Sequence, residues 1–244
     1  MHPNNTLICF LFFASIILSS PLTKRDSWGP ALSLGPSRSP IIHTTTTIYP
    51  GPPPSNQTGY LFSWLGIPNG TGDLIQSIIG SYPHGTSECA GPRADTSWCV
   101  SSEVYGNDAN GLPNQWVGDV RSVLLNVTNG VRLEYMLVDE KKFLWVQSMK
   151  DAVTGQLLST LNKTSGPMLG WGTALECDDY NAKSCKGTTG GQWYVNSTIV
   201  LESADPTFVQ TLGASSGANH TAMETVDKGK TWTIAKIYIP AMQK

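Results

Sequence analysis

The sequence predicts an all-β protein, a two-sheet antiparallel β-sandwich, and three observations carry that expectation. Apolar residues recur in short runs with period two, no window of ten or more residues keeps a 3.6-residue apolar period, and 24 glycines and 16 prolines punctuate the chain. Many short strands separated by turn formers suit a sandwich of the jelly-roll kind. The 244 residues hold one such unit once a leader and an arm are set aside.

The elements follow in order. Residues 7–18 are an apolar run interrupted by Ser15 alone, followed by Ser19, Ser20 and Pro21. A membrane span takes about 20 residues, so this run has the size of a signal-peptide core, and residues 1–20 are read as the signal peptide. Lys24 and Arg25 are read as a solvated pair. Residues 21–57 are rich in Pro, Ser and Thr, with threonine at 44–47 and proline at 52–54. Such a stretch is expected to be an extended arm that at most pairs along a sheet edge. Residues 58–244 are the sandwich domain. Its strands are expected at 60–65, 73–79, 98–105, 116–127, 131–138, 143–149, 156–161, 169–177, 193–201, 207–212, 220–226 and 231–239. Turns fall at Asn129-Gly130, Thr154-Gly155 and Asp227-Lys228-Gly229.

Cysteines and sequons agree with export. Beyond Cys9 in the signal core stand Cys89, Cys99, Cys177 and Cys185, an even set that reads as two disulfides. Three connectivities are open. The local pairs Cys89 with Cys99 and Cys177 with Cys185 are favoured, because each closes a loop between neighbouring strands. Asn-x-Ser/Thr triplets occur at Asn56, Asn69, Asn126, Asn162, Asn196 and Asn219. Chance would supply about one or two, so these are read as glycan acceptors on exposed positions. The expected location is secreted or in the lumen of the secretory pathway.

A glycan must face water, which orients the strands that carry one. With Asn196 outward, Trp193, Val195, Ile199 and Leu201 are expected inward. With Asn162 outward, Leu157 and Leu161 are expected inward.

The composition argues against several functions. A formal charge of -2 and 14% charged residues give no basic field for phosphates, so nucleic acid is not an expected partner. No membrane span is expected. Neither His43 nor His84 has a partner at ligand spacing and no Cys-x-x-Cys occurs, so no metal and no cofactor is expected. Gly213-Ala-Ser-Ser-Gly217 matches the Gly-x-Ser-x-Gly pattern of serine hydrolases, but no helix is expected after it, and it is read as a loop. A homodimer is left open.

Two resemblances point further. Trp64-Leu-Gly-Ile67, Leu74-Ile-Gln76 and Ala174-Leu-Glu176 are similar to segments of the secreted fungal glutamic peptidases. Those enzymes have a concanavalin A-like jelly roll with a catalytic glutamine and glutamate. The resemblance implies Gln76 as oxyanion donor and Glu176 as general acid/base in an acid hydrolase. The residues after Gln76 and after Glu176 depart from that family's pattern, and the Tyr-x-Trp-Tyr-Pro segment appears only as Ser102-Glu-Val-Tyr105. A shared scaffold with altered chemistry is what this implies.

The second resemblance covers the mature chain. Its sequons, with Thr164-Ser-Gly-Pro-Met-Leu-Gly-Trp-Gly172 and Lys230-Thr-Trp-Thr-Ile234, resemble secreted hetero-Diels-Alderases of fungal tropolone-sesquiterpenoid pathways. The reaction this implies joins an o-quinone-methide tropolone to a humulene-type alkene without a cofactor. Such chemistry needs two apolar partners held close, a donor on the heterodiene carbonyl and little water. On this reading Trp64, Tyr135, Trp145 and Trp171 are expected to wall an apolar cavity, with Gln76 as carbonyl donor and Glu176 setting polarity. A non-catalytic carbohydrate-binding module is the third expectation, with exposed tryptophans in a shallow groove.

Overall fold

The computed structural model describes residues 26–86, 93–123, 129–188 and 190–242. The signal segment, Lys24, Arg25, Cys89 and Asn126 lie outside the described residues, and with Cys89 goes the expected bridge to Cys99.

Among the described residues fifteen strands build two antiparallel sheets. They are β1 (Asp26–Leu34), β2 (Ile41–Tyr49), β3 (Tyr60–Pro68), β4 (Leu74–Ser81), β5 (Trp98–Asn107), β6 (Pro113–Val123), β7 (Val131–Asp139) and β8 (Leu144–Asp151). Then follow β9 (Leu157–Thr164), β10 (Trp171–Asp178), β11 (Gln192–Leu201), β12 (Gly213–Ser215), β13 (Asn219–His220), β14 (Met223–Glu224) and β15 (Thr231–Ile239). A seven-stranded sheet runs β12-β1-β10-β3-β4-β5-β6, and the other runs β13-β15-β11-β2-β7-β8-β9 with β14 also on β15.

Alternation on each strand sends one set of side chains between the sheets. Leu61, Leu65, Ile67, Ile75 and Ile79 meet Ile48, Leu133, Trp145, Ile199 and Ile237 in one buried cluster. Each such side chain stabilises the fold by about 1.5–3 kcal/mol relative to leaving it in water. Cys177 and Cys185 form a disulfide with Cα atoms 5.7 Å apart, as the local pairing required.

Five expectations need correction. The supposed arm supplies β1 and β2, and β2 lies in the interior of its sheet between β11 and β7. Residues 207–212 hold a 3-10 turn, Phe208–Thr211, in place of a strand, and residues 220–226 hold only the short β13 and β14. In β11 the alternation slips at Asn196, whose φ of 53° marks a bulge, with the pairing to β2 shifting between Val195 and Thr198. Tyr194 therefore points inward, Trp193 is 44% exposed and Val195 is half-buried, while Ile199 and Leu201 are buried as expected. The β8–β9 pairing slips between Met149 and Lys150, which turns Leu158 in and leaves Leu157 exposed. Leu161 packs against the core.

Turn aspartates close several hairpins. Asp151 Oδ1 accepts from the Thr154 amide at 2.7 Å and the Val153 amide at 2.9 Å, and Oδ2 from the Asn129 carboxamide at 3.0 Å. The Thr154 amide foremost, then Asn129, holds its carboxyl down at about 2. Asp227 is lowered chiefly by the Thr231 amide, and Asp108 chiefly by the Leu112 amide. Folded values below the unfolded one, about 3.9, mean that this stabilisation is complete above the unfolded pKa and is lost as pH falls through the folded values. The thermal midpoint is expected to stay level down to about pH 5 and to fall between about pH 4 and pH 2. Asp151→Asn should flatten part of that fall, and a pH series of melting curves reads it directly.

Candidate functional site

The structure divides the expected site residues between two faces of the seven-stranded sheet. Tyr135, Trp145 and Trp171 lie between the sheets, each at most 1% exposed. Their polar tips are spent on the protein itself. Tyr135 donates to the Leu65 carbonyl at 2.8 Å, Trp145 Nε1 to the Ser165 carbonyl at 2.9 Å, and Trp171 Nε1 to the Thr44 hydroxyl at 2.9 Å. Burial pushes the Tyr135 phenol far up, and pushes that of Tyr194 beside it up to about 12. Neutral, hydrogen-bonded rings at these positions act as core.

Gln76, Trp64 and Glu176 stand on the opposite, outer face. Register fixes this. Leu65 and Ile67 of β3 point into the core, so Phe62, Trp64 and Gly66 point out, and their cross-strand partners share that face. Gln76 pairs with Gly66 on one side and Glu103 on the other. Glu176 pairs with Phe62 and with Trp28. The row through Gln76 therefore reaches β10 at Gly172, four residues from Glu176. Two strand spacings of about 4.8 Å and four residues of about 3.3 Å put the Gln76 and Glu176 backbones roughly 16 Å apart. They do not form one hydrogen-bonded group.

Glu103 is the carboxylate beside Gln76, and sequence reasoning missed it. Its carboxylate accepts from the Ser101 hydroxyl and from the Gln115 carboxamide, and its backbone carbonyl accepts from Gln147 Nε2 at 3.1 Å. At 4% exposure it is buried. The segment Ser102-Glu-Val-Tyr105 signalled it only by its resemblance to a substrate-binding segment. The β4–β5 register that sets Glu103 opposite Gln76 spans a long connection and is not countable from sequence.

Aromatic rings cover the rest of this face. Trp28, 60% exposed, meets Trp64 edge-on with centroids 6.1 Å apart and planes at 85°. Tyr60 stacks on Phe62 at 6.1 Å, and both meet Tyr82. Gly66 matters here because it has no side chain. A Cβ there would sit 2.7 Å from Cδ1 of Leu74 and 3.2 Å from Cζ3 of Trp64, so both side chains lean over the space that Gly66 leaves open. Trp64 Nε1 is buried with no hydrogen-bond partner among the described residues. The half-buried Gln76 carboxamide likewise makes no hydrogen bond among them.

The sequons fall mostly elsewhere. Asn162 and Asn196 are exposed on strands of the other sheet and face away from the core, and exposed Asn219 lies on that sheet's β13 edge. Asn56 lies in a connection, and Asn69 in the β3–β4 hairpin, where its Oδ1 accepts from the Thr71 and Asp73 amides. Among the described residues no sequon lies on a strand of the seven-stranded sheet. Gly213–Gly217 is exposed, with β12 as a short edge strand and a turn after it. Among the described residues no helix is long and apolar enough to cross a membrane, and no group of three or more metal-ligating side chains occurs.

No protein-family model matches the chain, and no curated protein matches it by sequence. Solved structures similar to it include scytalido-glutamic peptidase with a transition-state analog inhibitor, at 12% identity over 87% of this chain and 99% of that one, TM-score 0.49. The same peptidase with a peptide-based transition-state analog matches at 11% identity over the same shares, TM-score 0.46. SCP-B, a member of the eqolisin family of peptidases in a complex with a tripeptide, matches at 12% identity over 87% and 99%, TM-score 0.47. Likeness at this level carries no functional inference.

Proposed function

We propose that the outer face of the seven-stranded sheet binds a flat, apolar, carbonyl-bearing small molecule, and that the protein is a cofactor-free hetero-Diels-Alderase acting there. The observation that carries this reading is Gln76. Its carboxamide makes no hydrogen bond among the described residues, and it shares the outer face of the β3–β4 hairpin with an indole whose buried N–H has no partner among them. A buried donor without a partner is costly, so the Trp64 N–H calls for a ligand acceptor or an ordered water, and the half-buried Gln76 carboxamide is free to meet the same ligand.

The chemistry asks for these parts and few others. An o-quinone methide offers a four-electron C=C–C=O unit and the alkene two electrons. One C–O and one C–C bond form, the remaining π bond shifts, and no atom leaves. A Gln76 N–H aimed at the heterodiene oxygen stabilises the negative charge that gathers there. Trp64 and Trp28 supply ring faces that hold the partners in one orientation. This moves the reaction from the interior, where Tyr135, Trp145 and Trp171 are core, to the face of Gln76.

A hydrolase reading has Glu103 beside Gln76 in its favour. Against it, both carboxylate oxygens of Glu103 already accept hydrogen bonds and the group is buried, which suits a structural anchor better than a base for water. The purified glycoprotein, incubated with a quinone-methide precursor and humulene, is expected to accelerate the cycloaddition and give one stereoisomer. A racemic product at the rate of heat-denatured protein would exclude the reaction.

A further inference from the structure

The outer face of the eight-stranded sheet carries a line of residues that the proposed reaction does not use. Across β13, β15, β11 and β2, the register sets Asn219 opposite Tyr238, Tyr238 opposite Trp193, and Trp193 opposite Tyr49. Partners in register share a face, so the Asn219 carboxamide stands at the head of a strip of three rings. Trp193 and Tyr238 are in contact, with centroids 4.7 Å apart. Two glycines let the rings lie close to the backbone. A Cβ on Gly191 would fall 2.3 Å from the Tyr238 ring, and one on Gly130 2.9 Å from Tyr49. Trp193 remains 44% exposed, which is a large apolar surface to leave in water.

We infer that this strip is the seat of the glycan on Asn219, with the first N-acetylglucosamine units lying on Tyr238 and Trp193. Asn219-His220-Thr221 is a sequon and Asn219 is exposed. In the modification, Nδ2 of Asn219 forms a bond to C1 of the sugar. The bond from C1 to the pyrophosphate of a lipid-linked oligosaccharide donor breaks, the lipid pyrophosphate leaves, and the amide gives up one proton. The apolar C–H face of a pyranose, slightly positive, suits the negative face of an aromatic ring. The strip spans three strand spacings, about 14 Å, and begins at the attachment point. A tethered occupant pays almost no association entropy, so a modest contact is enough to keep the sugar down.

The inference rests on Asn219 being modified, and the test separates the two. Wild type, Trp193→Ala, Asn219→Gln and the double variant are secreted from a eukaryotic host and also made in a bacterial periplasm, which forms disulfides without N-glycans. Peptide mass spectrometry reads occupancy at Asn219. In glycosylated protein, Trp193→Ala should lower the thermal midpoint by about 2 °C or more, and should let endoglycosidase release the Asn219 glycan several-fold faster. In periplasmic protein, and in the Asn219→Gln background, it should cost clearly less. An unmodified Asn219 overturns the premise. An occupied Asn219 with equal Trp193→Ala effects in all backgrounds overturns the docking and leaves the modification standing.

Discussion

Trp171→Ala is expected to cost about 3–5 kcal/mol of folding stability, enough to unfold a marginally stable domain. The ring is 1% exposed in the cluster between the sheets, and its Nε1 donates to Thr44 Oγ1 at 2.9 Å. Alanine there opens a cavity and removes that bond from the buried Thr44 hydroxyl. Urea or guanidinium unfolding measures the loss. Trp145→Ala should behave alike, since its Nε1 holds the Ser165 carbonyl at 2.9 Å. A Trp171→Ala protein that folds with wild-type stability and fails only in turnover would mean that the ring belongs to a substrate site after all.

Gln76→Leu is expected to show the opposite split. The side chain is half-buried on the outer face and makes no hydrogen bond among the described residues, so its loss should change stability by less than about 1 kcal/mol. If Gln76 donates to the heterodiene oxygen, turnover should fall roughly 100-fold. Glu176→Gln lies about 16 Å from that donor by strand spacing and should leave turnover within a few-fold. Full activity in Gln76→Leu would remove the donor role. Inactivity of Glu176→Gln at normal stability would restore the acid hydrolase to first place.

Much of the fold is legible because its strands obey one rule. In β15 apolar residues recur every second position on either side of one slip at Ala235-Lys236, between the turn Asp227-Lys228-Gly229 and Pro240, and the expected span of 231–239 is the observed one. β2 escapes the same reading because the two buried positions at its centre are threonines. Thr44 and Thr46 are at most 1% exposed, and each hydroxyl is spent inside: Thr44 on the Thr198 carbonyl at 2.8 Å, Thr46 on Ser197 Oγ at 2.8 Å. Polar residues that satisfy one another in a core look like solvent-facing residues in a sequence. Single-residue slips defeat the rule elsewhere. An unseen bulge at Asn196 inverts everything before it on β11, which is why Trp193 was placed inside. The site was half legible for a related reason. Gln76 and Trp64 share one hairpin, so local alternation finds their common face. The position of Glu103 or Glu176 relative to Gln76 depends on pairings between distant segments, which no local pattern encodes.

The pairing of β1 with β10 and of β2 with β11 joins the beginning of the domain to residues near 178 and 201. Neither sheet can be completed until most of the chain is available, because β1 waits for β10 and β2 for β11. The late strands β10 and β11 are therefore the members that tie the first two strands into their sheets.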